Sequence, residues 1–309
     1  MASILKSVFM MLFAGEFLMG ILGNGFIILV NCIDWIRNWK FFVIDFIITC
    51  LALSRIVLLC IIILGIGLDV ICEEIWYNHN QWIHFEILWT GSNYFCTTCT
   101  TCLCVFYFLK IASFSNRIFL WMKWRIHKVL LIIVLGAAFS FCLSLPLQDT
   151  VSRNLTKTQV NTGRNRTLSF TGRAYELFMS HMLQNIMFLI PFGVCLTSFV
   201  LLIFSLWIHT RQMKGAGGDP ITKVHVRAMK SMISFLLFFF MYYLSSIMMN
   251  LTYIILDSWV AKMLANTLVF LYPSGHTFLL IFWNSKLKQA SLCVLKKLKC
   301  MNLRKPAHP

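Results

Sequence analysis

Four side chains between residues 86 and 97 could together hold a small molecule. Glu86, Trp89, Asn93 and Thr97 recur at three- and four-residue steps, so on a helix they share one face. A large aromatic beside an amide makes a useful pocket wall: the ring supplies apolar area and the amide supplies orientation. The same spacing fits a tryptophan anchored at a lipid–water interface, and the residues alone leave both readings open. Asn266 and Phe270 form a second pair one turn apart. Phe240, Tyr242 and Tyr243 cluster in one segment, and His181, Gln184 and Phe188 share helical spacing in another. The chemistry these groups offer is recognition, by stacking and one or two hydrogen bonds, with little fixed charge.

Charged residues inside apolar segments are few and therefore informative, because each is costly unless paired or wet. Arg55 lies in the middle of an apolar run and must find backbone carbonyls, Asn24 or another polar partner; a buried packing and switch role fits it better than a ligand contact. Glu16 and Asp45 read the same way, with Asp45 expected at headgroup level. Cys96, Cys99 and Cys102 have the spacing of a zinc or iron–sulfur motif, but about 100° per residue spreads them over a wide arc of a helix. In an apolar helix they read as small packing residues, so no metal is assigned. Nothing resembles a catalytic constellation: HExxH, a Walker loop and GxSxG are all missing, and the eight histidines are scattered. The expectation is a binding protein, not an enzyme, with no cofactor.

The elements that must position these groups are seven apolar stretches, at roughly 8–30, 42–67, 83–108, 128–147, 183–206, 231–256 and 263–283. Each has the ~20 residues a helix needs to cross a bilayer. The chain is 59% hydrophobic and 12% charged, about half the charge of a soluble domain. Its net charge of +16 suggests nucleic acid at first sight. The basic residues, however, flank the apolar spans and do not form a patch, so they read as topology signals and contacts for anionic lipid. The gaps after spans one, three and five, and the C-terminal tail, are rich in Lys and Arg, with only Asp34 and Asp219 as acids. Lys/Arg excess marks the cytoplasmic side, so the tail is expected inside and the N-terminus outside. The fold class is an all-α membrane protein: a seven-transmembrane helix bundle over 1–283 and a cytoplasmic tail over 284–309.

Other features agree with that topology. The first apolar run is too long for a signal peptide and lacks a cleavage site, so it reads as a retained helix. The longest outer gap, 148–182, carries two sequons, Asn154-Leu-Thr and Asn165-Arg-Thr, as glycosylation candidates. Asn250-Leu-Thr is also a sequon but sits too near the membrane. Gly215-Ala-Gly-Gly-Asp-Pro220 breaks the third inner gap into two arms. In the tail, Leu287, Ser291, Val294 and Leu298 fall on one face among lysines, as in a short amphipathic helix on the inner leaflet. Cys293 and Cys300 there are either palmitoylated or plain thiols.

Read in order, the motifs resemble one family from end to end, the type 2 taste receptors, which are bitter taste receptors of the G-protein-coupled class. The resemblance is carried by Ile21-Leu-Gly-Asn24 and Leu29-Val-Asn-Cys-Ile-Asp-Trp35, and by Asp45 through Ser54-Arg55 in span two. It continues through Phe106-Tyr-Phe-Leu-Lys-Ile-Ala-Ser-Phe-Ser115 and Phe119-Leu-Trp-Met-Lys-Trp-Arg125. It ends with His225-Val-Arg-Ala-Met-Lys230, Tyr272-Pro-Ser-Gly-His-Thr-Phe278 and Asn284-Ser-Lys-Leu-Lys-Gln289. Rhodopsin-like hallmarks are missing: no Asp-Arg-Tyr closes span three and no Asn-Pro-x-x-Tyr closes span seven.

The resemblance implies a pocket for small bitter molecules in the outer half of the bundle and a heterotrimeric, gustducin-like G protein on the inner side. By position, Trp89 and Asn93 match the family's ligand-contacting pair and Tyr242 an aromatic contact. Asn266 stands where some members carry an acid or glutamine, which removes a partner for cationic compounds. Lys223 stands where relatives often have Glu, Trp283 where Gly is usual, and the third inner loop is shortened. The implied localisation is the plasma membrane, multi-pass. A pheromone-type receptor of similar size is the rival within the class. A transporter or channel is the rival outside it, although neither internal repeats nor a continuous polar path is visible.

Overall fold

The computed structural model describes residues 2–39, 42–71, 79–161, 166–212, 220–251 and 259–303. Among these residues every regular element is helical: α1 (Ala2–Asn38), α2 (Val43–Ile71), α3 (His79–Ile111), α4 (Arg117–Trp124), α5 (Ile126–Asn161), α6 (Arg166–Gln212), α7 (Pro220–Leu251), α8 (Trp259–Trp283) and α9 (Ser285–Leu303). A helix satisfies its own backbone, which is why apolar segments of this length adopt it in lipid. Six described segments are long and apolar enough to cross a membrane: Ser7–Asn38, Val43–Gly65, His84–Ile111, Ile126–Pro146, Asn185–Ile208 and Met263–Trp283. The span expected at 231–256 corresponds to α7, whose described apolar segment is Ile233–Met248; residues 252–258 lie outside the described residues.

The long helices close into a ring. α1 packs on α2 and α8, α2 on α3, α3 on α5 and α6, α6 on α7, and α7 on α8. α3 lies most centrally, touching α2, α5, α6 and α7. The burial pattern is inverted relative to a soluble protein. Leu135, Phe139, Ile186 and Ile190 are exposed, while Asn24, Arg55, Asn93, Thr100 and His276 are buried. Polar groups inside and large apolar groups outside are what a lipid solvent demands.

Glycines set the closest approaches. A Cβ on Gly20 would lie 2.5 Å from Leu59 Cδ1, and one on Gly23 would lie 2.9 Å from Thr277 Cγ2. These two positions therefore let α1 lie directly against α2 and α8.

Three features depart from the sequence expectation. The outer gap 148–182 is largely helical, because α5 runs on to Asn161 and α6 starts at Arg166; nothing between Pro146 and Gly163 breaks a helix once the membrane span has nucleated it. The second inner gap contains α4, which has an N-cap at Asn116 whose Oδ1 accepts from Ile118 N at 2.8 Å. Phe119 anchors α4 by packing edge-on against Phe108 and Phe114. In α9, Leu287 turns into the bundle and is buried, whereas Leu292, Val294 and Leu295 are exposed. The apolar face is thus split between a protein anchor and a surface suited to lipid. The broken third inner loop at Gly215, together with Cys72 and Asn165, lies outside the described residues.

Candidate ligand-binding site

Asn93 is the centre of the outer site. Its position on α3 buries it, and its Nδ2 donates to the Trp89 carbonyl at 2.8 Å. Its Oδ1 accepts a short hydrogen bond from the Tyr242 hydroxyl of α7. Trp89 is half-buried and packs against the main core. Asn266 on α8 is half-buried. Its sequence partner Phe270 is placed apart: the ring is fully buried and stacks on Phe13 of α1 at 5.5 Å. Glu86 is 8% exposed, so it is enclosed by its neighbours. It belongs to the row Glu86, Thr90, Tyr94, spaced by four residues, which is the inward-facing row of α3. The side chains of His181 and Gln184 lie outside the described residues.

Beneath Asn93 a polar chain runs inward. The Tyr242 ring sits 4.8 Å from the Tyr272 ring of α8. The Tyr272 hydroxyl lies 2.9 Å from Thr100 Oγ1 on α3. The Arg55 guanidinium lies over the Tyr272 ring at 5.4 Å. Arg55 itself is fully buried, and its Nη2 donates to His276 Nδ1 at 2.6 Å. A guanidinium has only donors, so His276 Nδ1 must carry the lone pair; the ring is neutral with its proton on Nε2. Arg55 Nε and Nη1 have no hydrogen-bond partner among the described residues. The Tyr272 face adds a favourable contact to the charge.

Asn24 serves a different joint. Its Nδ2 donates to Gly20 O at 2.8 Å and Pro273 O at 3.2 Å, and its Oδ1 lies 3.0 Å from the Thr277 hydroxyl. Proline in α8 lacks an N–H and loosens the local ladder. The Asn24 amide binds the Pro273 carbonyl and so joins α8 to α1. Asn24 and Arg55 thus bond different residues of α8.

At the inner end, Lys286 of α9 reaches Asp34 Oδ2 at 2.6 Å and Asp45 Oδ2 at 2.8 Å. Asp45 is buried and meets the lysine of α9. Partial burial pulls the Lys286 pKa down, but hydrogen bonds and charge from Asp34 and Asp45 more than offset it and lift the ammonium above its ordinary value. Asn284 caps α9, its Oδ1 accepting from Lys286 N at 3.0 Å.

Sequence reasoning missed His276, Tyr272 and Thr100. The signal was present for the first two: they are four apart in Tyr272-Pro-Ser-Gly-His, hence on one face of α8. No local pattern marks Thr100, one of many threonines on α3. Cys96, Cys99 and Cys102 are buried packing residues of the main core.

Comparison with known proteins now adds to this geometry. A family model described as taste receptor protein (TAS2R) matches residues 1–299. Taste receptor type 2 member 7 of Macaca mulatta is 42% identical over 287 residues, which cover 91% of this chain and 90% of that protein. Taste receptor type 2 member 8 of Homo sapiens is 41% identical over 302 residues, covering 96% and 98%. These matches set aside the pheromone-type and transporter alternatives. With its helical membrane bundle and buried polar core, the chain belongs to the taste receptor type 2 family and is a multi-pass bitter taste receptor, not an enzyme.

Proposed function

We propose that this receptor binds small, neutral, partly apolar bitter compounds in the outer half of the bundle, between α3, α7 and α8, and activates a gustducin-like heterotrimeric G protein at its inner end. The observation that carries the reading is the bond from Tyr242 to Asn93. It places an amide suited to ligand recognition at the head of a chain of contacts that reaches Arg55 and His276. Trp89 and Asn93 form one wall; Asn266 offers a neutral amide from α8. A ligand hydroxyl that donates to Asn93 Oδ1, or a ligand carbonyl that accepts from the Tyr242 hydroxyl, breaks the bond between Tyr242 and Asn93. Tyr242 then shifts against Tyr272, whose ring supports the Arg55 charge. Signalling follows as a population shift: the agonist binds more tightly to the state whose inner ends accept the G protein.

In this reading the N-terminus is extracellular, the tail cytoplasmic, and the plasma membrane the site of action. Asn154, on the outer extension of α5, and Asn165 carry glycan. The lysine and arginine excess of the opposite loops supports that orientation. The test is agonist-evoked intracellular calcium in cells expressing the chain with and without a co-expressed G protein. Responses that persist without the G protein, or that survive Trp89→Ala unchanged for every agonist, overturn it.

A further inference from the structure

The exposed face of α4 has no role in the chain of contacts that runs from Asn93 to Arg55. Its opposite face is fixed to the bundle. Phe119 is buried against Phe108 and Phe114, and Lys123 Nζ donates to the Ala112 carbonyl at 3.0 Å. At about 100° per residue, the side of α4 turned away from Phe119 carries Arg117, Trp121 and Trp124. Trp124 is 87% exposed, and Trp121 is exposed with the Arg125 guanidinium 5.5 Å from its ring. α4 stops at Arg125, whose φ of −114° and ψ of 35° leave the helical range, and α5 starts at once. Lys128 stands one turn later, its N–H donating to the Arg125 carbonyl at 2.9 Å.

Two observations say what covers this face. The first is continuity. Leu131, Ile132 and Leu135 follow Lys128 by three, four and seven residues, so they share its side of α5, and all three are exposed. On a membrane-spanning helix an exposed apolar stripe faces lipid, and Lys128 heads that stripe. The second is charge. Arg117, Arg125 and Lys128 are exposed, and no acidic residue occurs between Glu86 and Asp149. Two exposed tryptophans are unfavourable apolar area in water, whereas tryptophan rings settle at the membrane–water boundary. Rings and cations together, at the head of a lipid-facing stripe, match a negatively charged headgroup above its acyl chains. The other basic helix, α9, packs on α1 and α8, whereas α4 packs on α3 and α5, so the two are separate surfaces.

We propose that the corner between α4 and α5 is a binding site for an anionic phospholipid of the cytoplasmic leaflet. Arg125 and Lys128, helped by Arg117, hold the negatively charged headgroup. Trp121 and Trp124 sit at the boundary between headgroup and chains, and the acyl chains run along Leu131, Ile132 and Leu135. The inference rests on the orientation proposed above, which puts α4 on the cytoplasmic side, where anionic lipid is concentrated. A zwitterionic lipid fills the same stripe but leaves the three cations without a net negative partner.

The experiment uses the purified full chain in phosphatidylcholine nanodiscs doped with a photoactivatable phosphatidylserine, and maps the cross-links by peptide mass spectrometry. Cross-links are expected to cluster between Arg117 and Leu135, to be competed by plain phosphatidylserine, and to be much weaker with a photoactivatable phosphatidylcholine. Arg125→Gln and Lys128→Gln are each expected to raise the phosphatidylserine needed for half-maximal labelling roughly fivefold, the contribution of one basic residue near an anionic leaflet. Lys128→Arg should keep it. These side chains are exposed, so the variants should melt with wild type; if the Arg117→Gln/Arg125→Gln/Lys128→Gln triple variant fails to fold, the single variants still read the site. Equal labelling by the phosphatidylcholine analogue, or unchanged labelling in the charge variants, overturns the proposal. So does a triple variant that keeps its lipid labelling but loses G-protein activation in discs of phosphatidylcholine alone, because the face then belongs to a protein. The discs carry the lipid in both leaflets, so labelling does not depend on which end is cytoplasmic. Labelling at α4 in a receptor whose N-terminus proves cytoplasmic refutes the orientation alone, and absent labelling in a receptor glycosylated at Asn154 or Asn165 refutes the lipid site alone.

Discussion

His276→Ala should damage this receptor more than Arg55→Leu does. Arg55 is fully buried and hands one N–H to His276 Nδ1 at 2.6 Å. Removing the histidine leaves the guanidinium charged and buried without that bond, with the Tyr272 ring beside it. Breaking a buried charged pair from one side costs about 3–5 kcal/mol. Removing the arginine instead leaves a neutral imidazole short of one donor, at about 1–3 kcal/mol. The difference, about 2 kcal/mol, is roughly thirtyfold in an equilibrium constant at 1.36 kcal/mol per decade. The double variant Arg55→Leu with His276→Phe removes both polar groups and keeps the volume. It should recover much of the loss, because replacing both partners of a buried hydrogen bond by apolar groups of similar shape is often nearly neutral for stability. The assay is thermal unfolding of detergent-solubilised receptor, paired with calcium responses to at least three chemically unrelated agonists. Every agonist should be affected alike, since neither residue lies in the outer site. Equal destabilisation by the two single variants, no recovery in the double, or a defect confined to one agonist would refute the reasoning.

Trp89→Ala should weaken responses to most agonists at constant surface expression; unchanged concentration–response curves would remove the ring from the pocket. Asn266→Glu should move the agonist profile towards amines by placing a carboxylate on α8, and a profile identical to wild type would show that the position faces elsewhere. Asn154→Gln with Asn165→Gln should abolish the mobility shift produced by enzymatic deglycosylation; if wild type shows no such shift, the outer placement of this segment loses its support. Lys286→Met should lower stability by about 1 kcal/mol or less, because the ion pairs to Asp34 and Asp45 are partly wet. Because the Lys286 pKa is raised in the fold, this contribution is complete below the ordinary lysine range and fades only as pH rises above it; a melt series from about pH 8 to about pH 12 in wild type and variant reads it.

Much of the candidate site could be read in advance on α3, where Trp89 and Asn93 announce themselves by type and spacing, and on α7 through Tyr242. Phe270 shows the limit. It shares a face with Asn266 by arithmetic, yet its ring is spent on Phe13 of α1. On a helix that is apolar nearly all round, no stripe distinguishes the side facing a neighbour from the side facing lipid. Position relative to a partner helix is then not a local property. Glu86 and Asp45 are both buried by neighbouring helices whose docking no local pattern specifies.

The number and length of the apolar stretches, their charge asymmetry and the family motifs are properties of the chain by itself. A bilayer has a fixed thickness and no hydrogen-bonding groups in its core, so length and composition alone dictate helices there. Which polar residues meet was decided only in three dimensions. Asn93 and Tyr242 are 149 positions apart, Arg55 and His276 are 221, and Asp45 and Lys286 are 241. Each pair forms because a buried polar or charged group in an apolar solvent must find a partner wherever packing brings one, and packing is settled by glycine-sized contacts such as Gly20 against Leu59, which no spacing in the sequence reveals.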